Sequence, residues 1–383
     1  MDIIMRLELA CKTKGSRKLA NIVCCITTGF LLILLYIFYK KVFLLDYRKH
    51  EMHQSEPTPK QYGGALGLQL RGRLGNQNES SPGYRMSQIE QSKPTHKLHG
   101  GALGIKLRGR LGNQMFQYAS LLGLASMMKF ERVIIEGGDQ LRDTFKFEND
   151  RVEFGKVPPH WKVVRSNKTR MFDETLTHFN NHSELRIKAH LASWKYFKTI
   201  ESTVKKDFTF KSTVMLNAEK ILNAIKVKQE INMSFTNVTY VGVHIRRGDF
   251  LSPVLVQRGF MVAPLEYVFK AMDIMRIIYG PDIIFIICSN DIPWVKKAFS
   301  DQGHISSYSY PYVFMENNPP NVDLAVLSLC NQTIATTGTF SWWAAWLAGG
   351  TTIFYKHQAR QGSVTRQNLN YDDFFYPHWI LLE

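Results

Sequence analysis

The pattern of apolar and polar positions divides the chain into three unlike parts. Residues 1–20 are short and basic, with Arg6, Lys12, Lys14, Arg17 and Lys18. Residues 21–39 carry no charge, and their centre, GFLLILLYIFY, is nearly unbroken apolar sequence. About 20 apolar residues span a bilayer core. A cleaved signal peptide is shorter and ends in small residues. This run ends in Tyr36, Phe38, Tyr39, Lys40 and Lys41, which fits an interfacial belt. The pattern therefore predicts an uncleaved transmembrane signal anchor. Residues 40–99 are polar, carry prolines and lack periodicity, so they read as a stem.

From residue 100 onward, strand-length apolar runs alternate with stretches at helical spacing. Strands are expected at Ala102–Leu107, Arg132–Glu136, Thr239–Arg246, Asp282–Cys288, Thr333–Thr337 and Thr351–Tyr355. Helices are expected at Met115–Lys129, Thr203–Val227, Ala263–Tyr279, Asp291–Phe299, Val322–Cys330 and Ser341–Leu347, while Asp139–Ser193 reads as irregular. Such alternation argues for an α/β protein with parallel sheets. It gives a looser half at 100–235 and a tighter half at 236–383. One repeat interrupts the stem. Gly63–Gln77 reads GGALGLQLRGRLGNQ, and Gly100–Gln114 reads GGALGIKLRGRLGNQ. Two copies are too few for a solenoid. Only the second continues into an apolar helical pattern, so it is taken as the working element and the first as a duplicated segment.

Composition narrows the partners. Apolar residues make up 45% of the chain and aromatics 12%, ample for a packed core. The net charge of +16 admits nucleic acid, an anionic membrane surface or a phosphorylated small ligand. No zinc-finger spacing, basic-region heptad or RNA-binding aromatic signature occurs, so nucleic acid is the weaker partner. Of the five cysteines, Cys288 and Cys330 belong to the body. They form either one bridge or two buried free thiols. Glycosylation triplets begin at Asn78, Asn167, Asn181, Asn232, Asn237 and Asn331. All follow the apolar run, which favours a lumenal body. The one at Asn331 reads as entering a buried strand.

Three strand–turn–helix passages can aim backbone N–H groups at a ligand. The most informative is Val241–Phe250, VGVHIRRGDF. Alternation on a strand puts His244 and Arg246 on one face, while Arg247 leaves from the other face or from the strand's end. Two guanidiniums so close call for an anion, and a diphosphate matches the Arg fork. The plainer alternative is a structural Arg paired with Asp249. The second passage is Gly109–Gln114, where Gly112 permits a tight turn and Asn113 and Gln114 can cap the helix. The third is Thr336–Ser341, where Thr339 or Ser341 can cap the next helix. Trp342, Trp343 and Trp346 behind it read as core. No D-x-D triplet and no His/Cys cluster with metal spacing is present. A bound diphosphate would then be neutralised by arginine rather than Mg²⁺. No G-x-S-x-G elbow suggests serine hydrolase chemistry.

Three motifs together, GRLGNQMFQYA (Gly109–Ala119), HIRRGDF (His244–Phe250) and TTGTFSWWAAWLAGG (Thr336–Gly350), resemble the α-1,2-fucosyltransferases of glycosyltransferase family 11. The resemblance covers roughly residues 100–383, and the anchor and stem resemble the layout of animal Golgi members. It implies a GT-B-like pair of Rossmann-type domains behind the transmembrane helix. It also implies a single-pass type II Golgi membrane protein with a lumenal body. The activity implied is inverting, metal-independent transfer of fucose from GDP-fucose to the 2-hydroxyl of a galactose-terminated glycan. His244, Arg246 and Arg247 would hold the donor diphosphate, and Gly338, Thr339, Phe340 and Ser341 would close over it. Gly112, Asn113, Gln114 and Gln117 would lie toward the acceptor. The general base stays open between His244 and Asp249, the latter more naturally orienting the arginines. The doubled segment and the Thr337-Gly338 pair depart from the family pattern. A catalytically inactive, membrane-anchored glycan-binding protein of the same fold is the alternative from another class, and a basic membrane-surface scaffold a further one.

Overall fold

The computed structural model describes residues 101–383 apart from 181–182, 233–237 and 302–310. The expected tail, anchor, stem and first repeat copy, with Asn78, Asn181 and Asn237, lie outside the described residues. Among the described residues no helix is long and apolar enough to cross a membrane.

Two parallel sheets follow one another along the chain. The first contains β1 (Ala102–Lys106), β2 (Arg132–Glu136), β4 (Val152–Phe154), β5 (Lys162–Arg165) and β6 (Glu184–Lys188), in the order β4-β2-β1-β6-β5. A two-stranded ladder pairs β3 (Phe145–Lys146) with β7 (Thr209–Phe210). The second sheet contains β8 (Thr239–Ile245), β9 (Ile283–Ser289), β10 (Tyr312–Phe314), β11 (Gln332–Ala335), β12 (Thr352–Tyr355) and β13 (Ile380–Leu382). Its order, β10-β9-β8-β11-β12-β13, is the doubly wound one in which chain direction across the sheet reverses between β8 and β11. The helices that matter below are α1 (Leu111–Met127), α2 (Leu265–Tyr279), α3 (Pro320–Ser328) and α4 (Gly338–Ala348).

Strand β9 shows why the second sheet is central. Its sequence, IIFIICS, has no polar alternation. Ile284, Ile286 and Cys288 enter one hydrophobic cluster, and Ile283, Phe285 and Ile287 enter another. A strand buried on both faces between helix layers has to be apolar throughout. The first cluster runs on through α1, α3 and α4 to Leu103 and Ile105 of the first sheet, so one core joins both sheets. At its heart Phe116 of α1 lies 4.6 Å from Trp342 and 5.0 Å from Trp343 of α4. Trp342, Trp343 and Trp346 are buried, as their spacing suggested.

Several elements differ from expectation for identifiable reasons. The stretch read as irregular, 139–193, supplies β4, β5 and β6. β4 and β5 are short edge strands with largely accessible side chains, so they lack a clear apolar pattern. The expected helix at Thr203–Val227 is two helices, Glu201–Asp207 and Ser212–Asn232. Phe208 and Phe210 are drawn into the core between them. α1 begins at Leu111, four residues earlier than expected, because Leu111 and Gly112 are already buried. The Asn331 triplet does enter a buried strand as expected, since Gln332 and Thr333 open β11 and Thr333 is buried. Asn331 itself stands exposed just ahead of it, with its side-chain oxygen accepting the Tyr240 N–H at 2.9 Å. Asn167 is also exposed, and Asn232 closes its helix. Cys288 and Cys330 are both free and buried.

Candidate active site

The chain passes into loops at the carboxyl ends of β8 and β11, the point where the strand order reverses. Open α/β sheets gather ligands at such a crevice. Thr336 stitches the two ends together. Its hydroxyl accepts the Arg246 N–H at 2.8 Å and donates to the His244 carbonyl at 3.0 Å. The chain then turns through Gly338, whose φ of +89° suits glycine, and starts α4. The sequence suggested Thr339 or Ser341 as caps, but neither serves. The cap position is Thr337, without a side-chain bond. Ser341 donates instead to the Thr337 carbonyl at 2.9 Å and contacts His244 Nδ1 at 2.6 Å. The Gly338 N–H donates to Gln358 Oε1 at 3.3 Å, and the later N–H groups of the first turn, with the positive end of the helix dipole, face the crevice for an anion.

The first sheet brings a matching helix start to the same place. After β1 the chain turns at Gly109, with φ +79°, and enters α1. Here too the expected caps are otherwise engaged. The Gln114 amide donates to the Gly109 carbonyl at 2.9 Å. Asn113 accepts a 2.8 Å hydrogen bond from the Thr339 hydroxyl, tying α1 to α4. A Cβ on Gly112 would come within 2.7 Å of the Phe340 nitrogen and the Thr339 carbonyl carbon. The two helix starts therefore approach to a distance that only glycine allows. Arg110 crosses from the same loop to pair with Asp249.

A cavity of about 650 Å³ opens between these loops. It is lined by Arg110, Gly112 and Asn113 on one side, and by His244, Arg246, Asp249, Gly338, Thr339 and Phe340 on the other. That size suits a drug-sized or nucleotide-sized ligand. Arg246 lies over the Phe250 ring at 4.9 Å and pairs with Asp249. Burial and the nearby Arg110 charge lower its pKa, and Asp249 opposes them. Asp249 loses solvation, yet Arg110 and Arg246 hold its carboxyl below the usual range. His244 is 4% exposed, and burial followed by the Arg246 charge pushes its imidazole down to about 3. The ring is neutral near pH 7. With Ser341 donating to Thr337, Nδ1 carries the proton toward Ser341, and Nε2 keeps its lone pair.

Not every expected residue reaches the cavity. Arg247 follows the end of β8 and turns away from the cavity. Its guanidinium lies 3.6 Å from the Trp294 ring centroid and its Nε 3.4 Å from Asp291, and it is absent from the cavity wall. Gln117 is buried and clips the Arg108 backbone in both directions, at 2.9 Å and 3.1 Å. Gln114 also lies off the wall. Ser341 acts on the cavity only through His244.

Several residues of the wall went unpredicted, Arg110, Arg170, His190, Arg258 and Asp323 among them. Arg110 lay inside a recognised motif, but its partner Asp249 is 139 residues away and invisible to local pattern. Asp323 is a lone acid on the apolar helix α3. Burial raises its pKa to about 6 against hydrogen bonds from Cys288 and Asn318, and its Oδ1 is buried without a partner among the described residues. Among the described residues, no group of three His, Cys, Asp or Glu side chains is placed to hold a metal ion.

Strand order and site together define a doubly wound α/β protein with an anion-ready crevice at its switch point. Comparison with known proteins makes this specific. The sequence profile of glycosyl transferase family 11 matches residues 67–383. The chain belongs to that family. It is 29% identical over 275 residues to galactoside alpha-(1,2)-fucosyltransferase 1 of Rattus norvegicus, covering 70% of this chain and 69% of that one. Against galactoside alpha-(1,2)-fucosyltransferase 2 of the same species it is 29% identical over 276 residues, covering 70% and 73%. A solved structure of Arabidopsis thaliana FUT1 in complex with GDP aligns with a TM-score of 0.45 and 11% identity, covering 68% of this chain and 71% of that one.

Proposed function

We propose that this protein transfers L-fucose from GDP-fucose to the 2-hydroxyl of a galactoside, with inversion, as a galactoside α-1,2-fucosyltransferase. Arg246 beside the N-terminus of α4, at the switch point of the second sheet and in the cavity wall, is the observation that carries this reading. A diphosphate laid there meets backbone N–H groups and a guanidinium fixed by Asp249 and Phe250. These charges stabilise the departing GDP, the role a divalent cation plays elsewhere, so no metal is required. The buried, unpartnered Asp323 Oδ1 offers an acceptor to the N–H edge of the guanine base.

Neither base candidate is suited to its role. Asp249 is held ionised between two arginines, and His244 is too weakly basic at about 3. Both are positioning residues. Asp249 aims Arg246, and His244 is locked by Ser341 against the crevice wall. The fucosyl carbon gains oxocarbenium character as its bond to the GDP oxygen breaks and its bond to the acceptor oxygen forms, and the acceptor hydroxyl proton passes late to water in the open crevice. Arg247 supports the loop from the opposite face through Trp294 and Asp291. The two sheets act as a GT-B-like pair, with Gly112 and Asn113 toward the acceptor. The N-terminal anchor makes the chain a type II Golgi membrane protein with a lumenal body.

The test is incubation of the full chain in membranes with GDP-fucose and a panel of β-galactosides, with and without EDTA. An α-1,2-linked product is expected in both conditions. Arg246→Ala should lower kcat by about a hundredfold or more, the usual loss for one donor to developing charge. Complete loss in EDTA would refute metal independence, and an unchanged Arg246→Ala rate would refute the mechanism.

A further inference from the structure

Arg170 is 7% exposed, and its Nη1 is buried without a hydrogen-bond partner among the described residues. It nevertheless belongs to the wall of the cavity. Its backbone is fixed, since its N–H donates to Asn368 and its carbonyl accepts from Asn370, each at 3.1 Å. Its guanidinium lies 5.2 Å from the Phe260 ring centroid and 5.1 Å from that of Phe374. Two aromatic rings hold the cation in place by cation–π attraction and do not occupy its N–H donors, of which Nη1 has no partner among the described residues. None of the cavity carboxylates, Asp143, Asp249 or Asp323, pairs with it. Burial without a counter-charge lowers its pKa to about 10, so it remains a cation at pH 7.

A structural arginine buried this deeply ordinarily has its donors satisfied and its charge paired. Leaving a guanidinium dry and unpaired is costly, and the cost is relieved when an oxyanion arrives. The neighbourhood repeats the sign. His190 and Arg258 share the wall. Burial first, then the charges of Arg258, Arg170 and Arg108, lowers the His190 pKa. The donor diphosphate already has its own guanidinium. Arg246 sits on Phe250, and Phe250 packs against Phe260, whose ring also carries Arg170. The cavity therefore holds two arginines on one line of aromatic rings, each available to a different anion.

We infer that Arg170, with Arg258, forms an oxyanion subsite for the acceptor, and that the preferred galactoside carries a carboxylate or sulfate ester on a neighbouring sugar. The inference rests on the fucosyltransferase reading and adds the acceptor's chemical class to it. A planar guanidinium edge takes either anion bidentately, so the two sources must be compared directly.

The experiment uses the full chain, GDP-fucose and three acceptors. One is neutral, β-galactosyl-(1→4)-N-acetylglucosamine. The second is its 6-O-sulfated form, and the third is β-galactosyl-(1→4)-glucuronic acid. At least one acidic acceptor is expected to show a kcat/KM about tenfold or more above the neutral one, as suits a charge-assisted, bidentate contact. Arg170→Met and Arg258→Gln should bring that ratio toward one without raising the KM for GDP-fucose. Arg258 is exposed, so its variant keeps the test open if Arg170→Met fails to fold. Transfer to the neutral acceptor with no acidic preference overturns the inference and leaves the enzyme reading intact. A raised donor KM in either variant also overturns it, by assigning the arginines to GDP-fucose. No transfer to any acceptor refutes the enzyme reading itself. Saturation-transfer NMR of the acidic acceptors then decides the subsite, since absent or Arg170-independent binding overturns it.

Discussion

Gly112→Ala tests the contact on which the site is assembled. The added Cβ would lie 2.7 Å from two backbone atoms of α4, Phe340 N and Thr339 C. Ordinary contact begins near 3.4 Å, so the α4 start must retreat by about 0.7 Å. Neither atom can rotate away, because both are main chain. The substitution gains about 1 kcal/mol of helix propensity, and overpacking costs about 1–3 kcal/mol. The net is a loss of up to about 2 kcal/mol, read as a melting-temperature fall of about 2–6 °C for a unit of this size. Activity suffers more than stability. The same retreat stretches the 2.8 Å Thr339–Asn113 hydrogen bond and moves the N–H groups proposed to hold the diphosphate. Misplacement on this scale costs up to about a hundredfold in rate. Steady-state kinetics beside a thermal melt should show kcat/KM for GDP-fucose down ten- to a hundredfold. Gly123→Ala is the control. Its Cβ would strike the Tyr196 carbonyl at 2.0 Å, away from the cavity wall. It should lower stability at least as much, with activity per folded molecule retained. If Gly112→Ala melts and turns over like the parent, the packing argument is wrong.

His244 gives a pH signature. Its folded pKa of about 3 lies below the unfolded value, so between pH 6.5 and 3 the unfolded chain binds more protons and stability rises with pH. Lowering the pH from 7 to 5 should cost about 2 kcal/mol through this residue; His244→Asn should flatten that part of the melting-temperature profile, and an unaltered slope would count against the neutral, buried ring. Asp249→Asn removes the carboxylate shared by Arg110 and Arg246, both pairs being partly exposed, so stability should change by less than about 1 kcal/mol. The KM for GDP-fucose should rise severalfold, and an unchanged KM would remove Asp249 from the site. Burial pushes the Cys288 thiol well up and that of Cys330 to about 12; mass mapping after alkylation at pH 8 should find both modified only after denaturation, and rapid native labelling of either would contradict the packing around β9 and α3.

The crevice shows where sequence legibility ends. His244, Arg246 and Asp249 were readable because strand period, turn glycine and charge all lie within a few residues. The parallel α/β class and the buried tryptophans were readable for the same reason, since apolar period is local and strong in β8, β9 and α4. Edge strands such as β4 and β5 were not, because strands of three or four residues with largely accessible side chains carry little apolar pattern. Caps were misassigned because Asn113 and Thr339 bond to each other across the fold, while Ser341 is taken by the Thr337 carbonyl and by His244.

The sequence by itself determined the alternation of elements, that His244 and Arg246 turn to the same side at the end of β8, and the glycines that let loops turn. Tertiary structure alone decided that Arg110 meets Asp249, that Gly112 fits beneath the start of α4, and that Arg170 lies in the cavity wall with its charge unpaired. The physical reason is range. Backbone preference and hydrophobic period act over a few residues. Ion pairing, close packing and desolvation depend on which distant segments the two sheets bring together.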